Sequence, residues 1–393
     1  MLALITFVML AFAPAALAPQ QEQGFTPVQG ATLQAKHEAA AAAAGSARHT
    51  RYWTAYSFDV RPGVAVDVDY VSDDGRFHIR GTWESGDSGT YFIDGVSASN
   101  YPGLETRSLG VFALRDSSGR VERIDVFNLA RRHEYSGHPV YWMGRAVNEE
   151  SLNFLRGVAV ADTSGARGDS PATEAVRAIA LHDDRRVPEV LMQVARGTAD
   201  DSVRARAVRS LGSPPAPEAV RENLAQLVRD ERESIEVRRA GISAYGRSRD
   251  AQALALMQSL YGSLTNRELR RAALAQVARN ENQQAAAAFL IRVATQDSDT
   301  EARKTAIARL GEIAGEQALG TLNRTATSTD ADTELQKQAV SAISRRTPAE
   351  SVPLLINIAR THAKPEIRRH AFVLLGRTGD PAAVEFLKGV LTK

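Results

Sequence analysis

His133-Glu134-Tyr135-Ser136-Gly137-His138 comes nearest in this chain to a metal-ligand pattern. A zinc-binding helix of the metalloprotease type needs its histidines four apart, so that both face one ion. Here they are five apart, and Gly137 and Pro139 break any helix, so the segment reads as an ordered loop. Asp67, Asp69, Asp73 and Asp74 could crowd around a calcium ion, but the first two alternate outward from a strand and the other two form a turn. Arg167-Gly168-Asp169 is an integrin-type tripeptide between Gly165 and Pro171, and chance placement in a linker accounts for it. No Gly-rich phosphate loop, nucleophile elbow or paired-carboxylate cleft can be argued from spacing. The absence of cysteine excludes disulfides, thiolate metal sites, thiol nucleophiles and a lipoprotein anchor. No cofactor is expected.

The residues that do recur in a pattern are cations. Arg204, Arg238, Arg270, Arg303 and Arg368, with Gln336 in the same register, are each followed by a second position occupied by Ala205, Arg239, Arg271, Lys304, Arg369 and Lys337 respectively. They are the second and third columns of a ten-residue block that begins at Val203, Val237, Leu269, Ala302, Leu335 and Ile367, at intervals of 32 to 34 residues. Pro171 to Ala180 fits as a degenerate first copy.

Columns one, six and nine are apolar at the spacing that buries one helical face, for instance Leu269, Leu274 and Val277. Column five is always small: Ala207, Gly241, Ala273, Ala306, Ala339 and Ala371. Column ten is Gly212, Gly246, Ala278, Gly311, Ser344 or Gly376, which suggests helix ends in the left-handed conformation. Second helices are expected over 148–161, 184–198, 217–230, 250–263, 281–296, 315–328, 349–362 and 380–393. A hairpin of this size cannot bury its apolar face alone. Seven hairpins and a terminal helix must therefore stack into a right-handed α-solenoid over 148–393.

The Val-Arg-x-x-Ala-x-x-x-Leu-Gly blocks resemble HEAT repeats, specifically the short bacterial HEAT-like repeats first noted in phycobilin lyases. The resemblance implies that the second-column arginines form a structural ladder, each bracing a hairpin through an acidic residue. Asp201, Glu236, Glu268, Glu301, Glu334 and Glu366 lie close before them. The third column, Arg239, Arg271, Lys304, Lys337 and Arg369, has no such built-in partner and is the candidate partner-binding stripe. Deoxyhypusine hydroxylase, built from similar hairpins, holds iron through His-Glu pairs. Glu follows none of His182, His362 and His370, so that iron site is not expected. Without cysteine, the pigment chemistry of the lyases does not carry over either.

Ahead of the repeats, Leu2 to Phe12 is an apolar run ending in Ala16-Leu17-Ala18, the pattern of a cleaved signal peptide over 1–18. Residues 19–47 are Gln- and Ala-rich with no face of large apolar residues, a tether or a lone frayed helix. From 48 to 147 the period falls to two, as in Tyr52, Thr54, Tyr56, Phe58 and Val60, with turns at Asp73-Asp74-Gly75 and Asp116-Ser117-Ser118-Gly119. An antiparallel sandwich or barrel is expected there. Asn148 then caps the first helix, with Glu149 and Glu150 at its positive end.

The charge of +2 divides unevenly: residues 1–170 carry 15 Lys and Arg against 19 Asp and Glu, and the remainder 33 against 27. An export signal, a β domain and such repeats resemble a group of exported bacterial proteins. The expected function is a non-enzymatic scaffold that binds a protein or peptide partner in the periplasm or cell envelope, with no integral membrane span once the signal is cleaved. Nucleic-acid binding through the basic columns is the first alternative, against which export and the modest charge both argue. An enzyme with a metal-dependent site at the β-domain junction, near His133, His138, Tyr141 and Trp142, is the second.

Overall fold

The computed structural model describes residues 24–64, 66, 70–71, 78–79, 106–161, 170–197, 200–212, 218–247, 253–329 and 332–391. The expected leader, the Asp73-Asp74-Gly75 turn, Asp67, Asp69 and the Arg167-Gly168-Asp169 tripeptide lie outside them. The chain forms two compact units, one comprising residues up to Ala161 together with 169–187, the other 162–168 and 188–393.

The first unit contains β1 (Thr26–Pro27), α1 (Leu33–Ser46), β2 (Arg51–Ser57), β3 (Tyr70–Val71), β4 (His78–Ile79), β5 (Leu109–Asp116), β6 (Val121–Asn128), β7 (Val140–Arg145), α2 (Asn148–Val160) and α3 (Pro171–Ile179). Five strands form one sheet in the order β1-β7-β2-β5-β6, and β3 and β4 pair separately. The β5–β6 hairpin is the expected one: Asp116 Oδ1 accepts from the backbone N–H groups of Ser118 and Arg120, and Gly119 supplies the positive φ of 83°. The sheet is nevertheless mixed. β2, β5 and β6 are antiparallel, whereas β7 runs parallel to both β1 and β2. The cause is the long connection after β6, which passes over the sheet and delivers β7 to the far side of β2.

Both faces of the sheet are covered, as strands with parallel neighbours usually require. On one face Trp53, Ala55, Phe112, Phe127 and Val140 pack with Leu129 and Tyr135 of the crossing connection and with Phe25. On the other, Tyr52 and Tyr141 receive Ala40 and Ala44 of α1. Residues 33–46, expected as a tether or lone helix, are therefore part of the core. Leu33, His37, Ala40 and Ala44 form its buried stripe, and alanines suffice because the tyrosines of the sheet supply the volume. Lys36 Nζ donates to the Met143 carbonyl at 2.7 Å.

The helical hairpin α2–α3 also belongs to this unit rather than to the repeats that follow. Asn148 does not cap α2: its Oδ1 accepts from the Asp59 N–H at 3.2 Å and its amide donates to the Asp183 carbonyl at 3.0 Å, stitching the chain after β2 to the chain after α3. Beside it His182, 2% exposed, stacks on Phe58. Its Nδ1–H donates to the Ala178 carbonyl at 2.8 Å, so Nε2 accepts from Ser151 Oγ at 2.8 Å, which in turn meets the Tyr56 hydroxyl at 2.9 Å.

The second unit is an α-solenoid of alternating helices. One layer, the A helices, comprises α5 (Asp201–Ser210), α7 (Ile235–Arg247), α9 (Arg267–Ala278), α11 (Thr300–Leu310), α13 (Thr333–Ile343) and α15 (Pro365–Thr378). The B helices are α4 (Val187–Gly197), α6 (Glu218–Arg229), α8 (Ala253–Ser263), α10 (Gln283–Gln296), α12 (Glu316–Thr327), α14 (Pro348–Thr361) and α16 (Pro381–Leu391). From α7 onwards each A helix packs on the B helix before it, and successive A helices pack on one another. Columns one, five and nine are buried throughout. Column six is buried too, except in the last repeat, where half-buried Phe372 stacks on Phe386. Among the described residues no helix is long and apolar enough to cross a membrane.

Column ten works differently from expectation. None of its glycines has a positive φ. A Cβ on Gly212 would stand 2.5 Å from the Ala244 Cα, and one on Gly311 would stand 2.8 Å from the Ala342 carbonyl oxygen. Glycine lets successive A helices approach, and does not serve to end them. Gly376, in the last A helix, would meet nothing within 4 Å. Opposite outcomes follow for one substitution. Gly212→Ala should destabilise the second unit by about 2 kcal/mol through overpacking, and Gly376→Ala should stabilise it by about 0.5 kcal/mol through helix propensity, both read from urea unfolding.

A pH dependence follows from His182. Burial holds its imidazole down at about 4, from an ordinary value of 6.5. The unfolded chain binds a proton in that window and the folded chain does not, so stability falls as pH drops from 6.5 towards 4, at about 1.4 kcal/mol per pH unit. His37, lowered to about 3 by burial and then by Arg115, acts in the same direction. Asp125, raised to about 6 by burial, acts in the opposite one, because its carboxyl keeps a proton in the fold. His182→Gln should remove close to one proton from the slope of stability against pH. An unchanged slope would mean that the ring is not held neutral.

Candidate partner-binding face of the helical repeats

The second column is a set of helix-end braces. Arg204 Nε donates to the Ala195 carbonyl at 2.8 Å, Arg238 Nε to Val228 at 2.8 Å and Arg303 Nε to Ala294 at 3.1 Å. Gln336 Nε2 reaches the Ser328 carbonyl at 2.6 Å, and an Arg368 guanidinium nitrogen that of His362 at 2.7 Å. Each acceptor lies at the C-terminal end of the preceding B helix, where carbonyls lack intrahelical donors. Gln336 can replace arginine because the bond needs a donor and not a charge.

Acidic partners are the exception in this column. Arg204 pairs with Asp201 and Glu233. Arg270 lies over the Tyr261 ring and pairs with Asp297 at 2.5 Å, while the Tyr261 hydroxyl donates to the same carboxylate.

Of the acidic residues expected to serve the second column, Asp201 does so, but Glu268, Glu301, Glu334 and Glu366 instead serve the third. Glu268 pairs with Arg239 at 2.6 Å, Glu301 with Lys304 at 3.0 Å, and Lys337 lies between Glu334 at 3.0 Å and Glu366 at 3.3 Å. These carboxylates raise the pKa of Lys304 and Lys337. The expectation that the third column lacks built-in partners is thus corrected for three of its five members. Arg271 and Arg369 are exposed and form no ion pair among the described residues.

Arg239, Arg271 and Lys304 lie along a groove of about 1150 Å³ that crosses α9 and α11 and reaches Gln338 and Arg345 at α13. Its floor is made by columns four and seven: Ala272, Ala275, Thr305 and Ala308. Sequence inspection missed this floor and the arginines beyond it, Arg309 and Arg345. The run of small residues in two columns three positions apart, which share one helical face, was the available signal.

The residues proposed for an enzymatic site do not converge. Tyr141 and Trp142 are consecutive on β7 and point to opposite faces of the sheet, the first against Tyr52 and the second against Phe25. His133 stacks on Phe127 and its Nε2 meets the Asn128 carbonyl at 2.9 Å, so its ring anchors the crossing connection. No group of three or more potential metal ligands occurs among the described residues. The Ser151–His182 pair has the composition of a nucleophile and base, but both side chains are buried and His182 is oriented by a carbonyl instead of a carboxylate.

A family model for HEAT repeats matches residues 188–278 and 321–393. No curated protein sequence matches the chain. Among solved structures, it is similar to human deoxyhypusine hydroxylase in complex with glycerol, at 15% identity and a TM-score of 0.30, over 62% of this chain and 90% of that one. It is similar to the CpcE–CpcF complex of phycocyanin lyase from Nostoc, at 14% identity and a TM-score of 0.32, over 67% of this chain and 98% of that one. Similarity to a chain of the Kap95p–RanGDP complex, at 16% identity and a TM-score of 0.38, covers 62% of this chain and 39% of that one. The repeat interval, the buried columns and the family match agree: the helical half of this chain is a solenoid of HEAT repeats.

Proposed function

We propose that the protein is a non-enzymatic scaffold that holds a protein partner against the A-helix layer of its repeats, in the bacterial cell envelope. The observation that carries this reading is the division of labour between adjacent columns. Except for Arg270, the second column braces helix ends, whereas Arg239, Arg271 and Lys304 of the third stand along an open groove, with Arg271 exposed and free of any carboxylate among the described residues. Stacked repeats present such a surface as a continuous strip, which suits a segment longer than one hairpin can contact. The apolar run and Ala16-Leu17-Ala18 support export, and export in turn favours a protein partner over nucleic acid.

A photo-crosslinking residue at position 271 should capture a partner in intact cells, and one at Ala288, exposed on α10 in the B layer, should not. Equal capture from both positions, or none from 271, would overturn the assignment of the face. Arg238→Ala should cost about 2 kcal/mol of stability and leave the captured partner unchanged. Deletion of residues 1–18 should retain the protein inside the cell; an unaltered location would remove the envelope from the reading.

A further inference from the structure

The groove across α9 and α11 has a chemistry that narrows what it can hold. Its floor residues are short, and the same columns stay small on α7, at Ala240 and Ser243, but on α13 only Ser341 is small, with Gln338 in the other column. At the ends of the array they become Arg206 and Arg209 on α5, and His370 and Val373 on α15. The shallow floor is thus confined to the central repeats. Arg239, Arg271 and Lys304 stand along one side of it, and Arg309 and Arg345 along the other. Seven cations line the groove against four carboxylates.

Several of these cations are already engaged: Arg239 with Glu268, Lys304 with Glu301 and Arg309 with Glu312 at 2.7 Å. Arg271 and Arg345 are exposed and have no carboxylate partner among the described residues; Arg345 reaches only the Ala308 carbonyl, at 3.4 Å. One uncompensated guanidinium therefore stands on each side of the floor.

Spacing sets the form of the occupant. On α11 Lys304 and Arg309 are five residues apart, about 7.5 Å at the α-helical rise, and Arg345 lies two residues past the end of α13, so the floor between the cations admits no more than a single extended chain. Adjacent packed helices lie about 8–10 Å apart. A polyproline II chain advances about 3.1 Å per residue with three residues per turn. Laid across the A helices, such a chain returns the same side to the cation row about once per repeat. A β-strand, with its period of two, would alternate sides and miss every second cation.

We propose that this groove binds an extended acidic segment of the partner protein, in a polyproline-like conformation with a carboxylate at about every third residue. The inference rests on the protein-binding reading and specifies what part of a partner is recognised. The four carboxylates of the groove discriminate against a nucleic acid strand, which carries a phosphate on every unit. Neutral residues between the acids of a peptide can pass them.

The test measures binding of synthetic peptides of about twelve residues, enough to span four repeats, to the full chain by fluorescence anisotropy. One peptide has glutamate at every third position, a second has the same composition with its glutamates contiguous, and a third has glutamine for glutamate. A single-stranded oligonucleotide of equal charge is the fourth probe. The periodic peptide should bind about tenfold more tightly than the contiguous one, and the glutamine peptide should not bind. Arg271→Glu combined with Arg345→Glu should weaken the periodic peptide by about tenfold or more, with an unchanged thermal melt. Equal binding of the two acidic peptides, tighter binding of the oligonucleotide, or indifference to the double substitution would each overturn the proposal. If no peptide binds while crosslinking at position 271 still captures a protein, the acidic segment fails and the scaffold reading stands; if capture is also lost, both fail.

Discussion

Close stacking of successive A helices is the constraint on which the rest of the helical unit depends. Column five must be small so that the helix in the other layer can approach, and column ten must lack a side chain wherever the next repeat's backbone comes within about 3 Å, as it does at Gly212 and Gly311. Once the helices are drawn together at these points, columns one, six and nine have no exit to solvent, save at Phe372 in the last repeat. Each such aliphatic side chain contributes on the order of 2 kcal/mol by its burial. Every repeat borrows part of that burial from its neighbours, so the stability belongs to the stack more than to any hairpin. The face that remains outside the stack is left for charges, and it is there that the third column and the groove occur.

The strand-rich unit solves a different problem. Its central strand β2 is buried on both sides, with aromatic side chains alternating between two cores. One core is closed by the connection that crosses from β6 to β7, the other by α1 and α2. The polar groups trapped between them are largely accounted for: Tyr56, Ser151 and His182 satisfy one another and end on a helix carbonyl. His37 is less completely satisfied. Its Nδ1 accepts from Arg115 at 3.1 Å, and its Nε2 is buried without a partner. Such groups tie strands to helices at fixed registers, which aliphatic packing alone would specify less sharply.

How much of this could be read from the chain depended on whether a signal was repeated. The columns of the helical blocks were legible because six copies average out local accidents, and the helices begin and end close to where the periodicity places them. Column ten shows the limit of that approach. Glycine at a helix end has two uses, and only the position of the neighbouring backbone distinguishes a left-handed terminus from a close approach. Single-copy features were harder. The alanines of α1 do not signal burial, because the partner volume is supplied by Tyr52 and Tyr141. Asn148 has the composition of a cap and instead joins two loops. The parallel placement of β7 is a decision of topology that no strand's own residues record. Likewise, Glu268, Glu301, Glu334 and Glu366 were correctly picked out as ion-pair partners but matched to the wrong cations, since the second column reaches back to the helix end and leaves them for the third.

The alternation at column ten also bears on how the array responds to force. Two of its joints carry a side chain where the others have glycine: Ala278 at the step from α9 to α11, and Ser344 at the step from α13 to α15. The A helices meet more sparsely at those two steps than at the steps governed by glycine. The A layer is therefore knit unevenly, with one looser step in its interior and the other at its last joint. Tension along its axis would be taken up first at these steps, and one of them runs beneath the groove.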